Sequence, residues 1–366
     1  MIRTGFDGAV RGDGFPYIQS GVLDDLLIRQ TARFSDVVLD LGCVEQHPEI
    51  RAALRAAGKS TLWAYVVLRW WGVDQYSPRF FQEFKGIIDD THGVCWGTDG
   101  DPLGWWLSNV NLANPATVAG LGQLIAHYAQ PWDGVFLDTL LSEMPIGQTD
   151  VDYQRNGYAT MALFKAAWDA GVAALRAAIP KPVTGNYGPT QQPSYNGNMF
   201  EELPTQPPGM GWAGIIKTVQ TTPYAEPRSV WFNVAYHSLD PLDPVNHQRA
   251  RFAHGSALLV DGAIGSFGRY ENEKWNPGWV AAHPSFWYRD YELDLGTSNA
   301  IATHVTEQRG KPVDLWLRDY SKGIVVVNPS QRAHSIYLGH RYRGADGITK
   351  TAFSIAAQDA LIAEAV

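Results

Sequence analysis

Cysteine is scarce in this chain. Its 366 residues include only Cys43 and Cys95, too few for a disulfide framework or a four-cysteine zinc site. Both follow predicted strands at the same edge of the fold, which leaves one disulfide bridge or two inert thiols as alternatives. The ten histidines are scattered, and His92-x-x-Cys95 lacks a second pair of ligands. We therefore predict no metal site and no cofactor.

Basic runs and long apolar runs are missing as well. The formal net charge is -8, and the sequence contains no block of consecutive Lys and Arg. This composition argues against a nucleic-acid or anionic-membrane partner and favours a neutral polar one. No stretch approaches the roughly 18 apolar residues of a membrane span, and the first residues contain no apolar signal segment. We expect a soluble protein with no signal peptide in this chain.

Short apolar strands alternate with helical patterns along most of the chain. Helices are predicted over Val22–Phe34 and Pro48–Ala57, from Asn114 onward, and over Asp152–Ile179. The strands are predicted over Ile2–Asp7, Asp36–Leu41, Thr61–Arg69, Gly134–Asp138, Pro182–Tyr187, Gly197–Glu201, Ser229–Ala235 and Ala263–Phe267. Eight strands in such an alternation predict an α/β protein, a (β/α)8 TIM barrel with its site at the carboxyl ends of the strands.

A doubly wound sheet is the rival fold, but it usually binds nucleotides, and the chain has neither a G-x-G-x-x-G motif nor a Walker loop. A G-x-S-x-G nucleophile motif is absent too.

Beyond Gly296 the pattern changes to alternating strands separated by turn residues, which predicts a small antiparallel β-sandwich. We therefore divide the chain into a barrel domain, residues 1–296, and a sandwich domain, residues 297–366.

Two acidic residues end predicted strands, Asp138 and Glu201. Because side chains alternate along a strand, Asp138 shares a face with Phe136, and Glu201 shares one with Met199. In a barrel that face is the interior, so both carboxylates are expected in one cleft, about 5 to 9.5 Å apart as in glycosidases. Glu202 has the opposite parity and remains the alternative to Glu201, since a bulge shifts parity.

Further polar and aromatic side chains are expected around that cleft. Tryptophan is abundant, with 14 residues, and the segment from Gly72 to Asn114 is a long insertion of the kind that walls a binding site. The charged residues at strand ends have an alternative role, in salt bridges and caps that tie neighbouring strands together instead of in substrate binding. We assign to substrate binding Asp40, Arg69, Trp70, Trp71, Trp105, Trp106, Asn186, Tyr187, Glu202, Tyr236, His237, Arg269 and Tyr270.

With these residues the chain resembles glycoside-hydrolase-like TIM-barrel families of bacteria and their phages, related in architecture to α-galactosidases and endo-α-polygalactosaminidases. The resemblance implies a nucleophile after the fourth strand and an acid/base after the sixth, which are Asp138 and Glu201 here. The segments that carry it are Asn111–Pro115, Asp133–Asp138, Gly185–Tyr187, Met199–Glu201, Tyr291–Gly296, Arg318–Tyr320 and Gly323–Pro329.

The leading hypothesis is a retaining glycoside hydrolase that acts on an α-linked poly- or oligosaccharide, with Asp138 as nucleophile and Glu201 as general acid/base. It would act outside the cell, in association with a virion, or in the cytoplasm. An inverting mechanism stays open. One alternative is a catalytically silent carbohydrate-binding or virion structural protein on the same barrel. Another is a barrel lyase or a metal-dependent hydrolase.

Overall fold

The computed structural model describes residues 3–8, 25–58, 60–68, 79–102, 110–138, 151–186, 194–200, 203–204, 210–238, 240–270 and 287–366. The first part contains eight parallel strands. They are β1 (Thr4–Gly8), β2 (Asp36–Asp40), β3 (Thr61–Val67), β4 (Gly134–Asp138), β5 (Val183–Asn186), β6 (Gly197–Phe200), β7 (Val230–Tyr236) and β8 (Ala263–Tyr270).

The strands pair in chain order, and β1 also pairs with β8 through Thr4 with Gly265 and Gly5 with Ser266. Every pair in this sheet is parallel. Parallel neighbours need crossover connections, and every connection in the described chain except that from β5 to β6 contains a helix. The α/β class and the TIM-barrel-like architecture therefore follow the sequence prediction.

Helices cover the outside of this sheet. In the described chain they are α1 (Asp25–Thr31), α2 (Leu41–Gln46), α3 (Pro48–Ala57), α4 (Arg79–Asp90), α5 (Pro115–Tyr128), α6 (Met161–Ala178), α7 (Gly211–Thr221) and α8 (Pro244–Leu258). The start of α5 is the one that the sequence indicates, because the Asn114 side chain accepts hydrogen bonds from the amides of Ala116 and Thr117. Pro115 occupies the first helical position, where no amide hydrogen is needed.

One helix prediction was wrong in extent, and one helix was missed. The helix predicted over Asp152–Ile179 begins only at Met161, because Thr160 caps it by accepting from the Leu163 amide. The insertion after β3 is also more regular than expected, since α4 lies within it. Phe80, Phe84 and Ile88 are buried at intervals of four residues, a periodicity that indicates this helix in the sequence.

An apolar layer fills the inside of the barrel sheet. It consists of side chains that share one face of their strands: Val38, Trp63, Tyr65, Phe136, Met199, Trp231 and Ile264. The Trp63 and Phe136 rings meet the Trp231 ring edge to face, with centroids 6.3 and 5.9 Å away. A Cβ at Gly134 would lie 2.4 Å from the Trp63 ring, so the absent side chain makes room for that indole.

Polar contacts lie at the amino-terminal end of the barrel strands. Arg3 forms an ion pair with the buried Asp36, which also accepts from the Trp63 indole nitrogen at 3.1 Å. Nearby, the Thr184 hydroxyl on β5 donates to the Ser229 carbonyl oxygen at 2.9 Å. Between them lies Gly197 on β6, where a Cβ would come within 1.8 Å of that oxygen. Glycine therefore permits a hydrogen bond that passes over one strand.

A separate antiparallel sheet follows the barrel sheet. Its strands are β9 (Thr303–Gln308), β10 (Lys311–Tyr320), β11 (Gly323–Asn328), β12 (His334–Gly344), β13 (Thr349–Ile355) and β14 (Asp359–Ala365), in the order β13-β12-β14-β11-β10-β9. One face has its own cluster around Leu315, Ile324 and Ile336. The antiparallel C-terminal unit is as predicted and is consistent with a sandwich, although β9 was missed.

Helix α8 joins this sheet to the barrel. At Gly255 the helix approaches so closely that a Cβ would lie 2.4 Å from the Ala360 Cβ. Arg251 forms a two-pronged ion pair with Asp359, with bonds of 2.9 and 2.7 Å, and Arg318 donates to the carbonyl oxygen of Leu258 at the helix end. Burial of such a pair is tolerated because each charge has its partner.

The described helices were compared with the length and apolar character that a membrane span requires. None of the helices in the described ranges combines the length and the apolar character that a bilayer crossing requires.

The steric role of Gly197 gives a first prediction. We expect Gly197→Ala to lower the free energy of unfolding by roughly 2 kcal/mol or more, because its methyl group collides with backbone atoms that cannot rotate away. The matched change Gly86→Ala in α4 has open space around it and should raise that free energy by about 0.5 to 1 kcal/mol. Urea unfolding of both variants tests this, and equal midpoints for Gly197→Ala and the parent would contradict it.

His254 on α8 is a buried imidazole with an unusual environment. It is 1% exposed, its ring centroid lies 4.7 Å from that of Tyr291, and neither ring nitrogen has a hydrogen-bond partner among the described atoms. Burial lowers the pKa of His254 from 6.5 to about 4, against a smaller opposing effect of Asp290. The folded protein therefore holds this side chain neutral.

A pH dependence follows from this lowered pKa. The unfolded chain binds a proton at His254 below about pH 6.5, but the folded protein binds it only near 4. The free energy of unfolding should therefore fall with decreasing pH through this window, by up to about 1.4 kcal/mol per pH unit from this residue. Urea unfolding measured across this pH window should show a smaller fall in the free energy of unfolding for His254→Leu than for the parent. Identical slopes for His254→Leu and the parent would refute the assignment.

Candidate active site

The Asp138 carboxylate lies at the carboxyl end of β4, and side chains from both neighbouring strands hold it. Its Oδ2 accepts a short hydrogen bond from the Tyr65 hydroxyl on β3. Its Oδ1 accepts from the Asn186 side-chain nitrogen on β5 at 2.9 Å. Both donors are neutral. The pair fixes the rotation of the carboxylate, as a preorganised site requires.

Strand register explains why these three side chains meet. Tyr65 pairs with Phe136 and Val67 with Asp138, while Leu137 pairs with Gly185. Tyr65 therefore starts one inward position below Asp138, and its long ring, stacked on Phe136 with centroids 6.1 Å apart, carries the hydroxyl up to the carboxylate. Asn186 is the residue after Gly185 and the next inward position of β5 above Thr184.

Other strands place polar side chains on the same inward face. Asp40 at the end of β2 is 5% exposed. Asn233 on β7 donates to the Ser266 hydroxyl on β8 at 3.0 Å, and both are buried. They stand two residues beyond the apolar Trp231 and Ile264. Above the apolar layer, the sheet thus carries a polar layer formed by Asp40, Tyr65, Asp138, Asn186, Asn233 and Ser266.

His237 takes a different position from that layer. It directly follows β7, its side chain is 53% exposed, and its Nδ1 lies 2.9 Å from Oδ2 of Asp243. Asp243 also caps α8 by accepting from the Val245 amide. His237 is therefore at the rim of the sheet, in a loop that the start of α8 organises.

Many of the predicted site residues cannot be compared with the structure. The residues Arg69, Trp70, Trp71, Trp105, Trp106, Tyr187, Glu201 and Glu202 lie outside the described part of the chain, and Tyr236, Arg269 and Tyr270 are described only as strand backbone. Met199, two residues before Glu201, belongs to the interior apolar layer. This agrees with the parity argument, although the placement of Glu201 itself stays a prediction.

Sequence reasoning missed three members of the polar layer. Tyr65, Asn233 and Ser266 lie within strands, whereas the sequence signals of a site are most evident at strand ends. Strand parity was the available signal, because each of the three shares a face with an apolar residue two positions earlier: Trp63, Trp231 and Ile264. Asn186 was predicted, and its contact with Asp138 shows that it belongs to this cluster.

Cys95 is not part of this cluster. Cys95 is a free thiol, and burial raises its pKa to about 12, so it is protonated and inert at neutral pH. The alternatives for the cysteines were one disulfide bridge or two inert thiols. For Cys95 the structure agrees with an inert thiol, and the Cys43 side chain lies outside the described residues. Among the described side chains, no group of three or more His, Cys, Asp and Glu residues is arranged to hold a metal ion.

The chemistry available to the polar layer follows from its composition. It offers a positioned carboxylate beside amides and hydroxyls that donate and accept hydrogen bonds. Such groups suit the hydroxyl-rich surface of a neutral sugar, with aromatic rings close beneath. A carboxylate held by two donors is also placed to act as a nucleophile or a base.

Comparison with solved structures places this architecture among known folds. No protein-family model and no curated protein sequence matches the chain. The trehalose-6-phosphate hydrolase TreA of Bacillus licheniformis is similar in structure, with a TM-score of 0.54 and 10% identity over 99% of this chain and 98% of that one. MutB is a trehalulose synthase, and an inactive double mutant of it was solved in complex with isomaltulose. This structure has a TM-score of 0.53 and 10% identity, over 99% of this chain and 98% of that one.

A family 5 glycoside hydrolase from Bacteroides vulgatus gives a TM-score of 0.50 and 9% identity, over 100% of this chain and 88% of that one. At identities this low, the similarity shows the fold. The chain thus has a TIM-barrel-like α/β domain and an antiparallel β domain in an arrangement found in glycoside hydrolases.

Proposed function

We propose that the protein is an O-glycosyl hydrolase whose nucleophile is Asp138. The observation that carries the proposal is the Asp138 carboxylate at the carboxyl end of β4, held on both oxygens by Tyr65 and Asn186. TIM-barrel enzymes carry their active sites at this end of the strands. The structural similarity to TreA and MutB supports carbohydrate as the substrate class, and an α-linked sugar as the substrate.

In the proposed mechanism Asp138 attacks the anomeric carbon and forms a glycosyl-enzyme, which water then hydrolyses. Glu201 is the proposed general acid/base. It protonates the leaving oxygen in the first step and removes a proton from water in the second. Tyr65 and Asn186 keep the Asp138 carboxylate in the orientation of attack, and the remaining polar layer binds sugar hydroxyls.

Two further parts of the hypothesis remain proposals. One is the division of the chain at residue 296, between a barrel domain with eight βα units and a sandwich domain. The other is the relationship to α-galactosidase-like barrels, in which the acid/base follows the sixth strand. Both are compatible with the strand order, in which Glu201 follows the last residue of β6.

Removal of the Asp138 carboxylate and removal of the Glu201 carboxylate should have different kinetic effects. On an activated aryl glycoside, Glu201→Ala should retain the first step, because the leaving group needs no protonation, and azide should rescue its turnover. Asp138→Ala should lose the first step and show no rescue. Stopped-flow measurement of nitrophenol release from para-nitrophenyl α-glucoside and α-galactoside, with mass spectrometry of the trapped intermediate, gives the readout.

Controls define what this experiment can refute. Glu202→Ala is the neighbouring variant: it should need no azide, and because Glu202 is assigned to substrate binding, any defect should appear in KM. Rescue of Glu202→Ala instead of Glu201→Ala would shift the assignment by one residue. A labelled peptide that lacks Asp138 would overturn the nucleophile. Binding of the glycoside without Asp138-dependent hydrolysis would favour the silent carbohydrate-binding alternative, and turnover without a covalent species would indicate inversion.

The Tyr65 hydroxyl gives a separate prediction. Tyr65→Phe removes one hydrogen bond to a charged carboxylate while it keeps the ring that stacks on Phe136. We expect kcat to fall about 10- to 100-fold, which corresponds to a bond of this type. Tyr158→Phe is the matched control, because it removes a hydroxyl that donates to the Ala113 carbonyl oxygen outside the site. Equal kcat values for Tyr65→Phe and Tyr158→Phe would exclude a role for Tyr65.

A further inference from the structure

The loop after β7 presents one imidazole at the rim of the barrel sheet. His237 follows Tyr236, the last residue of β7, and about half of its side chain is exposed. Its backbone amide donates to the Asn246 side-chain oxygen at 2.6 Å. His237 therefore stands on the same edge of the sheet as Asp138, the carboxyl ends of the parallel strands.

Asp243 determines how this imidazole is protonated. Its Oδ1 accepts from the Val245 amide at 2.8 Å, and its Oδ2 accepts from Ser238 Oγ at 2.6 Å and lies 2.9 Å from His237 Nδ1. These hydrogen bonds lower the pKa of Asp243 to about 2, and the one with His237 has the largest effect. An ionised carboxylate only accepts hydrogen bonds, so Nδ1 of His237 must carry the proton. In the neutral imidazole Nε2 then has a free lone pair.

Asn246 makes the loop a rigid support. It is completely buried in the first turns of α8, and its side-chain nitrogen donates to the carbonyl oxygens of Ser238 and Asp240, both at 2.8 Å. The same side chain accepts from the amides of His237 and Ser238. Helix α8 thereby holds both the backbone of His237 and, through Asp243, its ring.

We propose that Asp243 is a positioning residue for His237, and that Nε2 of His237 accepts a hydrogen bond from a hydroxyl of the sugar bound at Asp138. This inference rests on the proposed function. A neutral nitrogen lone pair at the rim suits an O–H donor, and a carbohydrate offers many. The orientation by Asp243 matters because a free neutral histidine exchanges the proton between its two nitrogens, and only the Nδ1–H form can accept at Nε2.

Asp243→Asn tests the positioning without removal of the helix cap, since Asn is as good a cap as Asp. The Val245 amide needs the side-chain oxygen, so the new NH2 group faces His237 Nδ1. Nδ1 must then accept, and the proton moves to Nε2, which can no longer accept from a sugar. The change therefore inverts the hydrogen bonds of this position with His237 and with the Ser238 hydroxyl, which can accept as well as donate, and it leaves the helix cap in place.

Nitrogen-15 NMR of the imidazole reads the tautomer directly and requires no turnover. We expect the Nδ1–H form of His237 in the parent protein and the Nε2–H form in Asp243→Asn. His237→Ala identifies the signals, and His304, which pairs with Asp314 on the C-terminal sheet, is the matched internal control whose signals should not change. An Nε2–H form of His237 in the parent would overturn the proposal.

Contact with the sugar is read in the inactive Asp138→Asn protein with para-nitrophenyl α-glucoside or α-galactoside added. The Nε2 resonance of His237 should shift on addition in the Asp138→Asn protein, and it should not shift in the Asp138→Asn, Asp243→Asn double variant. Absence of a shift in the former, while the same glycoside is bound, would contradict the proposed contact.

Turnover supplies the third readout. Asp243→Asn and His237→Ala should each raise KM about tenfold with kcat little changed, because a hydrogen bond to a substrate group away from the reaction is lost in both. In the His237→Ala background, Asp243→Asn should have no further effect on KM, whereas His304→Gln should match the parent. An additive effect of Asp243→Asn would show that it acts other than through His237 and would overturn the proposal.

Failure of the proposed function is distinguishable from failure of this inference. If Asp138→Asn hydrolyses glycosides as well as the parent, the nucleophile assignment fails, but the tautomer and the resonance shift still report on His237. If Asp138 proves essential while His237→Ala leaves KM unchanged, the inference fails and the proposed function stands.

Discussion

Alternation of side chains along paired parallel strands is the constraint on which this molecule depends. Registers that place Tyr65 beside Phe136, and Val67 beside Asp138, leave only inward positions for the hydroxyl and the carboxylate. A shift of either strand by one residue would separate the Tyr65 hydroxyl from the Asp138 carboxylate, because one of the two side chains would move to the helix-facing side. The packing of Trp63 over Gly134 opposes such a shift, because any other residue at that point would collide with the indole. Apolar packing below thus fixes the polar geometry above.

Sequence reasoning predicted the eight strands and the position of Asp138 at the end of the fourth, because these rest on local signals. Short apolar runs bounded by turn residues identify strands, and a carboxylate at a strand end is visible without coordinates. Tyr65 could not be recognised in this way, since its role depends on the β3 to β4 register, a property of two segments about seventy residues apart in the chain. The start of α6 failed for a related reason. The prediction extended the helix through residues 151–160, which include weak helix formers such as Asn156 and Gly157. Asn156 binds the backbone of Trp96, and that tertiary contact helps to decide their structure.

Helix α8 connects three parts of the protein that are distant in sequence. Its first residues hold the loop after β7 through Asp243 and Asn246. Its middle packs on β8 at Gly265, where a Cβ would lie 2.6 Å from the His254 backbone, and on the C-terminal sheet at Gly255. The helix is therefore buried on more than one side, which explains why its residues show no simple apolar stripe although Ala250, Phe252, Ala253 and Ala257 are all in the core. One helix thus contacts the C-terminal sheet, β8 and the loop after β7.

The aromatic layer beneath Asp138 also sets the direction from which a ligand can arrive. Trp63, Phe136 and Trp231 are buried and interlocked, and together with Ile264 they form a solid floor, as expected of a barrel whose centre is a packed core and not a pore. Under the proposed function, a polymer could therefore not pass through the sheet beyond the carboxylate. It would either lie across the opening, so that internal bonds reach Asp138, or enter by one end, in which case the apolar layer would limit how many units pass the proposed nucleophile.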